Sequence, residues 1–230
     1  MRTKTTPNVW PGVVMADEKT SLISRYTTGA RLNHWITAAS LILLALSGFA
    51  LFHPSLFFLT GLFGGGQMTR ILHPFIGVVL VISFLGLFLR FVWFNFLTVD
   101  DLRWLFRFGS VLRNEEENLP EVGRYNAGQK LYFWGMTFSI IALVTSGVVI
   151  WDVYFAQYFT IDQRRLAVVV HAGAAVAAVL LWIVHAYAAV WIKGTVRAMM
   201  RGNVTGGWAW RHHRKWLRRR VTDTKRAPAE

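Results

Sequence analysis

Four apolar segments, each long enough to cross a lipid bilayer, constrain this chain more than any other feature. Crossing about 30 Å of hydrocarbon takes about 20 apolar residues at a helical rise of about 1.5 Å per residue. The sequence therefore predicts an all-α integral membrane protein, built as a bundle of four transmembrane helices. The predicted spans run from Asn33 to Phe52, Leu72 to Leu97, Lys130 to Trp151 and Leu166 to Ile192.

The basic residues are distributed unevenly between the two sides of these spans. Of the 25 Lys and Arg residues, 22 lie before the first span, within residues 90–130 or after the fourth span; the other two connections hold only Arg70, Arg164 and Arg165. An excess of Lys and Arg is typical of cytoplasmic segments. The net charge of +13 therefore indicates topology and not nucleic-acid binding, and it places both termini and the central loop in the cytoplasm.

This topology divides the chain into three parts. We expect a cytoplasmic N-terminal arm over residues 1–32, a transmembrane domain over residues 33–192 and a basic cytoplasmic tail over residues 193–230. The polar arm ahead of the first span argues against a cleaved signal peptide. The segment from His53 to Arg70 suits a loop along the outer interface, and the central loop, with its acidic run Glu115 to Glu117, is predicted to be a solvated connector.

Four histidines lie near the ends of the spans. An ionisable ring inside a bilayer is costly unless it is paired or bound, so each one is a candidate functional residue. The predicted topology places His73 and His171 near the outer face, and His34 and His185 near the inner face. His171 and His185 are fourteen residues apart in one span, which corresponds to about 21 Å of rise and about 40° of rotation. His73 can therefore face His171 (the outer pair), and His34 can face His185 (the inner pair).

Each pair offers two neutral imidazoles to the two axial positions of one haem iron. Such bis-imidazole ligation suits electron transfer because it leaves no position open for oxygen. The chain contains no cysteine, which excludes thiolate-held iron–sulfur clusters and CxxCH-type covalent haem from this chain. The sequence therefore predicts that the bundle holds two b haems, one near each face of the membrane.

Several other residues are interpreted around this pattern. His53, His212 and His213 are predicted not to be ligands. Arg31 and Arg70 each precede a proposed ligand by three residues and are candidates for binding haem propionates, with ordinary snorkelling as an equal alternative.

A short sequence echo links the first and third spans. Leu46-Ser47-Gly48-Phe49 is matched by Thr145-Ser146-Gly147-Val148, each near the outer end of a span that leaves the cytoplasm. Gly48 also lies fourteen residues after His34, which places it at the depth of the outer pair, where a large side chain would strike a haem. Gly77 and the run Ala172 to Ala175 offer similar space. The echo indicates similar packing in the two spans but is too short to establish a duplication.

Five segments of the chain resemble the gamma subunit of membrane-bound respiratory formate dehydrogenase, cytochrome b556. The resemblance covers residues 24–216 and all four spans in order. It is carried by residues 31–35 (RLNHW), 70–74 (RILHP), 123–130 (GRYNAGQK) and 191–194 (WIKG), and by the tail around His212, His213 and Trp216. It departs in the N-terminal arm and in the last dozen residues.

The resemblance implies a location, partners and an electron path. In this family His34, His73, His171 and His185 would ligate two haems b in a subunit of the bacterial inner membrane. Electrons would come from a periplasmic iron–sulfur beta subunit, fed by a molybdenum or tungsten alpha subunit that oxidises formate. They would pass to a menaquinone or ubiquinone at the cytoplasmic side.

The resemblance also implies a quinone site. Asn126 and Gly128, with Gln129 beside them and His185 nearby, would contact the quinone. Without the resemblance, the same three residues predict only a capped helix start after a turn.

Two other classes of function stay open on the sequence alone. The chain is also compatible with a cytochrome b anchor of a nickel–iron hydrogenase or of a thiosulfate-type reductase. A haem-free membrane anchor or transporter, with histidines used in packing or proton relay, is the alternative from a different class.

Overall fold

Long apolar helices dominate the computed structural model, which describes residues 22–113 and 119–226. Four of these helices are long and apolar enough to cross a membrane, namely α1, α2, α5 and α6. This confirms the predicted helical membrane fold. In chain order the elements are β1 (Leu22–Ser24), α1 (Thr28–Phe52), α2 (Gly66–Phe91), α3 (Val99–Phe106), α4 (Phe108–Leu112), α5 (Ala127–Ile150), α6 (Ile161–Trp191), α7 (Thr195–Arg201), β2 (Asn203–Thr205), α8 (Gly206–His212) and α9 (Arg214–Arg226).

Three of the long helices begin three to five residues earlier than the apolar pattern predicts, because polar caps extend them. The Thr27 hydroxyl accepts a hydrogen bond from the Ala30 amide of α1. Asn126 and Thr160 form capping boxes with Gln129 and Gln163 at the starts of α5 and α6. Caps of this kind satisfy the free N–H groups of the first helical turn even where the residues of that turn are polar. A prediction from hydrophobicity alone therefore places the starts of these helices too late.

The connections contain more helix than expected. Between α1 and α2 a 3-10 helix runs over Pro54–Phe63, and α2 already begins at Gly66, so the segment from His53 to Arg70 is not simply a loop. The central connection carries α3 and α4, whereas the acidic run Glu115 to Glu117 lies outside the described residues.

The four long helices form two antiparallel pairs, and the two pairs meet around a small apolar core. α1 packs on α2, α5 packs on α6, and α2 also contacts α5. The core consists of Leu80, Met136, Ile140 and Ala178. Ala178 is seven residues from both His171 and His185, so this core lies midway between the two histidine pairs. The outward side chains are apolar and exposed, for instance Phe138 at 64% and Val184 at 63%, which suits contact with lipid.

A second unit, formed by β1, β2, α7, α8 and α9, closes one end of the bundle, and we call it the tail unit. β1 pairs antiparallel with β2, with Ile23 opposite Val204, so a two-stranded sheet is added to the predicted all-α fold. The pairing arises because the end of the N-terminal arm meets the tail. Ala198, Val204, Ala209 and Trp216 form its buried apolar centre.

A buried arginine and a buried histidine join the tail unit to the bundle. The Arg25 guanidinium lies 4.8 Å from the Trp216 ring centre and donates to the Arg124 carbonyl at 2.7 Å and to His213 Nε2 at 3.2 Å. His213 Nδ1 donates to the Gly123 carbonyl at 2.9 Å. Because a carbonyl only accepts and a guanidinium only donates, these contacts require a neutral His213 ring. Burial first, and then the Arg25 charge, lower the pKa of His213 to about 3.

A buried ion pair fixes the start of α5 against α3. Lys130 Nζ donates to Asp101 Oδ2 at 2.6 Å and to the Phe96 carbonyl at 3.0 Å, and the side chains of Lys130 and Asp101 are 9% and 5% exposed. The same Asp101 oxygen accepts from the Thr98 amide and hydroxyl at the start of α3. Lys130 therefore holds two helices together besides adding positive charge.

The buried neutral His213 predicts that the tail unit loosens in mild acid. An unfolded histidine has a pKa of about 6.5, so between about pH 6.5 and pH 3 the unfolded tail binds more protons than the folded one, and its stability falls as the pH falls. We expect the hydrogen-exchange protection factors over residues 203–217, which correct the rate for the intrinsic pH dependence of amide exchange, to fall below about pH 6.5. His213→Gln should remove this fall and His53→Gln should keep it; protection factors in the His213 variant that still fall with pH would contradict the assignment.

The Lys130–Asp101 pair predicts a large cost for removing one partner. Lys130→Met leaves a buried carboxylate unpaired and should lower the free energy of unfolding by about 3–5 kcal/mol. The matched control is the exposed pair between Arg164 and Asp152, at 3.0 Å, where Arg164→Met should cost no more than about 1 kcal/mol. Denaturant titration in detergent micelles measures both, and equal costs would show that the Lys130 pair is not buried as described.

Candidate haem and quinone sites

The structure brings the four span histidines together as two facing pairs. The ring centres of His73 and His171 are 6.2 Å apart, and those of His34 and His185 are also 6.2 Å apart. The interplanar angles are 63° and 49°. α2 and α6 supply the outer pair, and α1 and α6 supply the inner pair. The partners are those that the depth argument selects; their role as ligands stays a prediction.

The spacing within each pair fits a metal ion between the rings. Two metal–imidazole bonds of about 2 Å, each to a nitrogen about 1 Å from its ring centre, separate the centres by about 6 Å. No group of three or more His, Asp or Glu side chains suited to a metal occurs within residues 22–113 and 119–226. Two imidazoles alone suit an iron whose remaining ligands come from a porphyrin. The residues present therefore fit haem iron better than a bare metal ion.

Each ring of the outer pair contacts a serine and a glycine of a neighbouring helix. His73 Nδ1 lies 2.7 Å from Ser47 Oγ, and His171 Nδ1 lies 3.1 Å from Ser146 Oγ. A Cβ atom at Gly48 would lie 3.6 Å from His73 Cε1. The echo between spans one and three therefore places a serine and a glycine against an outer histidine in each case. The proposed role of Gly48 in clearing space for a haem stays a prediction.

The remaining glycine and alanine positions have different surroundings. A Cβ atom at Gly147 would lie 3.4 Å from His171 Cε1, as at Gly48, whereas one at Gly77 or Gly173 would meet no atom within 4 Å. Gly173, in the run from Ala172 to Ala175, is exposed. Gly77 therefore leaves open space near His73, and Gly173 faces outward.

The inner pair has a different environment. His34 Nδ1 is buried and has no hydrogen-bond partner among the described residues, and its ring meets Trp35 edge on at 5.3 Å. The His185 ring is stacked on Tyr132, with 4.3 Å between centres and 14° between planes. Sequence reasoning did not single out Tyr132; its only signal was its position three residues after Gln129 in the same helix.

The two arginines proposed as propionate partners differ in their contacts. Arg31 donates to the Met200 carbonyl at 2.5 Å and to the Thr28 hydroxyl at 3.2 Å, while its buried Nε has no partner among the described residues. Arg70 is exposed. Arg31 therefore retains one buried donor three residues from His34, whereas Arg70 shows only the exposure expected of a snorkelling side chain.

Asn126, Gly128 and Gln129 form the start of α5, one turn before Tyr132. The Asn126 side-chain oxygen accepts from the Gln129 amide at 2.9 Å, and the Gln129 side-chain oxygen accepts from the Asn126 amide at 3.0 Å. The interpretation of these residues as a capped helix start is therefore confirmed. The cap uses only the oxygen of each amide, so both NH2 groups are still available as donors. A Cβ atom at Gly128 would lie 3.5 Å from the Trp104 ring, so the first turn of α5 packs closely against α3 at this position.

A small cavity of about 70 Å³ adjoins these amides. Its walls come from α3, α4, the loop before α5, the start of α5 and the tail unit, and include Trp104, Glu121, Asn126, Gln129 and Trp208. The cavity is well below the roughly 300 Å³ of a typical small-molecule site. A ring-shaped ligand at Asn126 and Gln129 would therefore require the cavity to widen.

A larger groove of about 540 Å³ lies between the tail unit and the central connection, and no histidine lines it. Charged residues line it, and they pair with one another: Lys215 with Asp100 at 3.0 Å and Arg218 with Glu121 at 2.9 Å. The Lys215 hydrogen bond and charge lower the pKa of Asp100. The groove is therefore a set of exposed ion pairs between α9 and the central connection, and we assign it no ligand.

The sequence is similar to known cytochrome subunits over most of its length. It is 44% identical over 205 residues to the formate dehydrogenase cytochrome b556(fdo) subunit of Escherichia coli, covering 88% of this chain and 96% of that protein. It is 40% identical over 200 residues to the nitrate-inducible cytochrome b556(Fdn) subunit of the same organism, covering 87% and 92%. The formate dehydrogenase cytochrome b556 subunit of Haemophilus influenzae is 34% identical over 199 residues, covering 86% and 84%.

A family match covers the region that holds all four histidines. Residues 25–202 match the family described as prokaryotic cytochrome b561, and this range includes all four long helices and α7. The identity to three cytochrome b556 subunits extends over the same region. The chain therefore belongs to the prokaryotic cytochrome b561 family, within the group of formate dehydrogenase cytochrome b556 subunits.

Proposed function

We propose that this chain is the membrane-anchoring dihaem subunit of a respiratory formate dehydrogenase, which carries electrons from a periplasmic iron–sulfur subunit to quinone at the cytoplasmic side. The observation that carries the proposal is the pair of histidine contacts, each with 6.2 Å between ring centres and about 21 Å apart along α6 by helical rise. Matched pairs at two depths suit two electron carriers in series. The chain would thus act as the quinone-reducing part of an enzyme complex.

Four residues would hold the two haems in this proposal. His73 and His171 would ligate the outer haem iron, and His34 and His185 the inner one. When bound, each haem supplies reversible one-electron transfer between ferric and ferrous iron. The apolar core of Leu80, Met136, Ile140 and Ala178 lies between the pairs, and iron binds an imidazole in its neutral form.

The start of α5 would bind the quinone. The NH2 groups of Asn126 and Gln129 are positioned by the capping box to donate to a quinone carbonyl. Tyr132 connects this turn to His185 through their ring stack. In the proposed topology, which the excess of Lys and Arg favours, this end of the bundle faces the cytoplasm and can take up protons from it. Menaquinone and ubiquinone would make the same carbonyl contacts.

The partners in the proposal follow from the relatives' names. Those proteins are named as subunits of formate dehydrogenase, which favours formate over hydrogen or thiosulfate as the source of electrons. An iron–sulfur beta subunit would contact the outer end of the bundle, and a molybdenum or tungsten alpha subunit would oxidise formate and feed the beta subunit. Formate oxidation outside and quinone reduction inside would then separate charge across the membrane.

Replacing single span histidines should remove one haem at a time. His73→Ala and His171→Ala should lose the outer haem, and His34→Ala and His185→Ala the inner one, because one imidazole cannot fill both axial positions. Pyridine haemochrome assays should fall from about two haems per chain to about one. His53→Ala is the matched control and should keep both. Two low-spin haems in all four variants would show that the ligands are assigned wrongly.

The quinone proposal predicts that the amide NH2 groups matter apart from the helix cap. Asn126→Asp and Gln129→Glu keep the capping oxygens but remove a donor. Loss of one hydrogen bond of about 0.5–1.5 kcal/mol should reduce kcat/KM for quinone about two- to tenfold while formate still reduces the haems. Gln163→Glu makes the same change in the capping box of α6 and should leave quinone reduction unchanged. Equal kinetics in all three variants would contradict the site.

A further inference from the structure

Serine hydroxyls contact both histidines of the outer pair at equivalent places. Ser47 of α1 meets Nδ1 of His73, and Ser146 of α5 meets Nδ1 of His171, at 2.7 and 3.1 Å. Both serines are buried, with exposed fractions of 0% and 4%. Each one follows a buried serine by seven residues in its own helix, Ser40 in α1 and Ser139 in α5. The two contacts are therefore a repeated feature of the two helices.

The direction of these hydrogen bonds follows from the single proton of a hydroxyl group. Ser47 Oγ donates to the Leu43 carbonyl at 2.8 Å, and Ser146 Oγ donates to the Ala142 carbonyl at 2.5 Å. A carbonyl only accepts, so a hydroxyl that donates to the carbonyl of its own helix has its single proton engaged there. Its oxygen then accepts from the imidazole. The back-bonded geometry of both serines therefore favours a proton on Nδ1 of His73 and of His171, with the lone pair of Nε2 free.

The inner pair lacks this arrangement at one of its rings. Among the described residues His34 Nδ1 has no hydrogen-bond partner, and His185 packs against the face of Tyr132. A ligating histidine that donates its second N–H to an acceptor becomes a more basic ligand. A more basic axial ligand stabilises ferric over ferrous iron, and hydrogen bonding around a haem is one of the factors that set its reduction potential. The two pairs would therefore hold their irons at different potentials.

We propose that Ser47 and Ser146 are positioning residues that fix the Nδ1–H tautomer of His73 and His171 and set the reduction potential of the outer haem below that of the inner haem. The proposal rests on the haem ligation proposed above. The difference favours the electron on the inner haem at equilibrium. Transfer from the outer to the inner pair is then downhill before any quinone binds.

The experiment is a redox titration of the b-type absorption band in the purified full-length protein, for the wild type and for Ser47→Ala, Ser146→Ala and the double variant. Loss of both acceptors should raise the midpoint potential of the outer haem. The expected rise is about 59 mV, which corresponds to a tenfold change in the ratio of oxidised to reduced haem for one electron. The inner haem should not shift. The outer haem is identified as the one that His73→Ala removes.

Ser139→Ala is the matched control. Ser139 is a buried serine of α5 that donates to the Gly135 carbonyl at 2.9 Å, as Ser146 does to Ala142. The control should leave both potentials at the wild-type values. Potentials in the Ser47 and Ser146 variants equal to those of the control would overturn the proposal.

Two further outcomes keep the inference separate from the proposed function. If the alanine variants do not retain the outer haem, the two midpoint potentials of the wild-type protein still test the proposal. An outer haem with a higher potential than the inner haem would overturn the proposal, and an outer haem with a lower potential would support it. Wild-type protein without haem would refute the ligation itself. Low-spin EPR spectra give a second readout, since loss of the serine acceptors should shift the outer signal alone.

Discussion

Close contact between imidazole rings inside an apolar bundle is the interaction on which the rest of this structure depends. A ring nitrogen in hydrocarbon has to be bound or hydrogen-bonded, because water is not available to it. Two histidines fourteen residues apart on α6 place this demand at two depths and on nearly one face. α1 and α2 each contribute one histidine that faces one of these rings. The apolar core of Leu80, Met136, Ile140 and Ala178 then fills the space between the two layers.

The tail unit serves the bundle at the end where quinone reduction is proposed. Arg25 and His213 join β1, the loop before α5 and the tail through buried hydrogen bonds, and Lys130 joins α5 to α3. These contacts surround the first turn of α5. The amides of Asn126 and Gln129 are thus held by their own capping box and by fixed neighbours on both sides. A polar site next to lipid needs such support because a loose turn would lose the orientation of its donors.

The sequence was sufficient for features that depend on spacing and charge, and insufficient for those that depend on contacts between helices. Apolar length predicted four spans, and depth predicted which histidines meet. The starts of α1, α5 and α6 were placed too late because Thr27, Asn126 and Thr160 extend the helices by capping. Ser47 and Ser146 were visible only as a sequence echo, and the Tyr132–His185 stack and the β1–β2 pairing depend on tertiary approach that no local pattern encodes.

Binding of one haem by each histidine pair can be measured as the haem stoichiometry and spin state of the purified chain. Quantitative haem extraction combined with EPR of the oxidised protein measures both. We expect about two haems b per chain, both six-coordinate and low-spin, because each iron would have two imidazole ligands. Protein that folds with no haem, or with one high-spin haem, would contradict it and would favour a bundle in which the histidines only pack against each other.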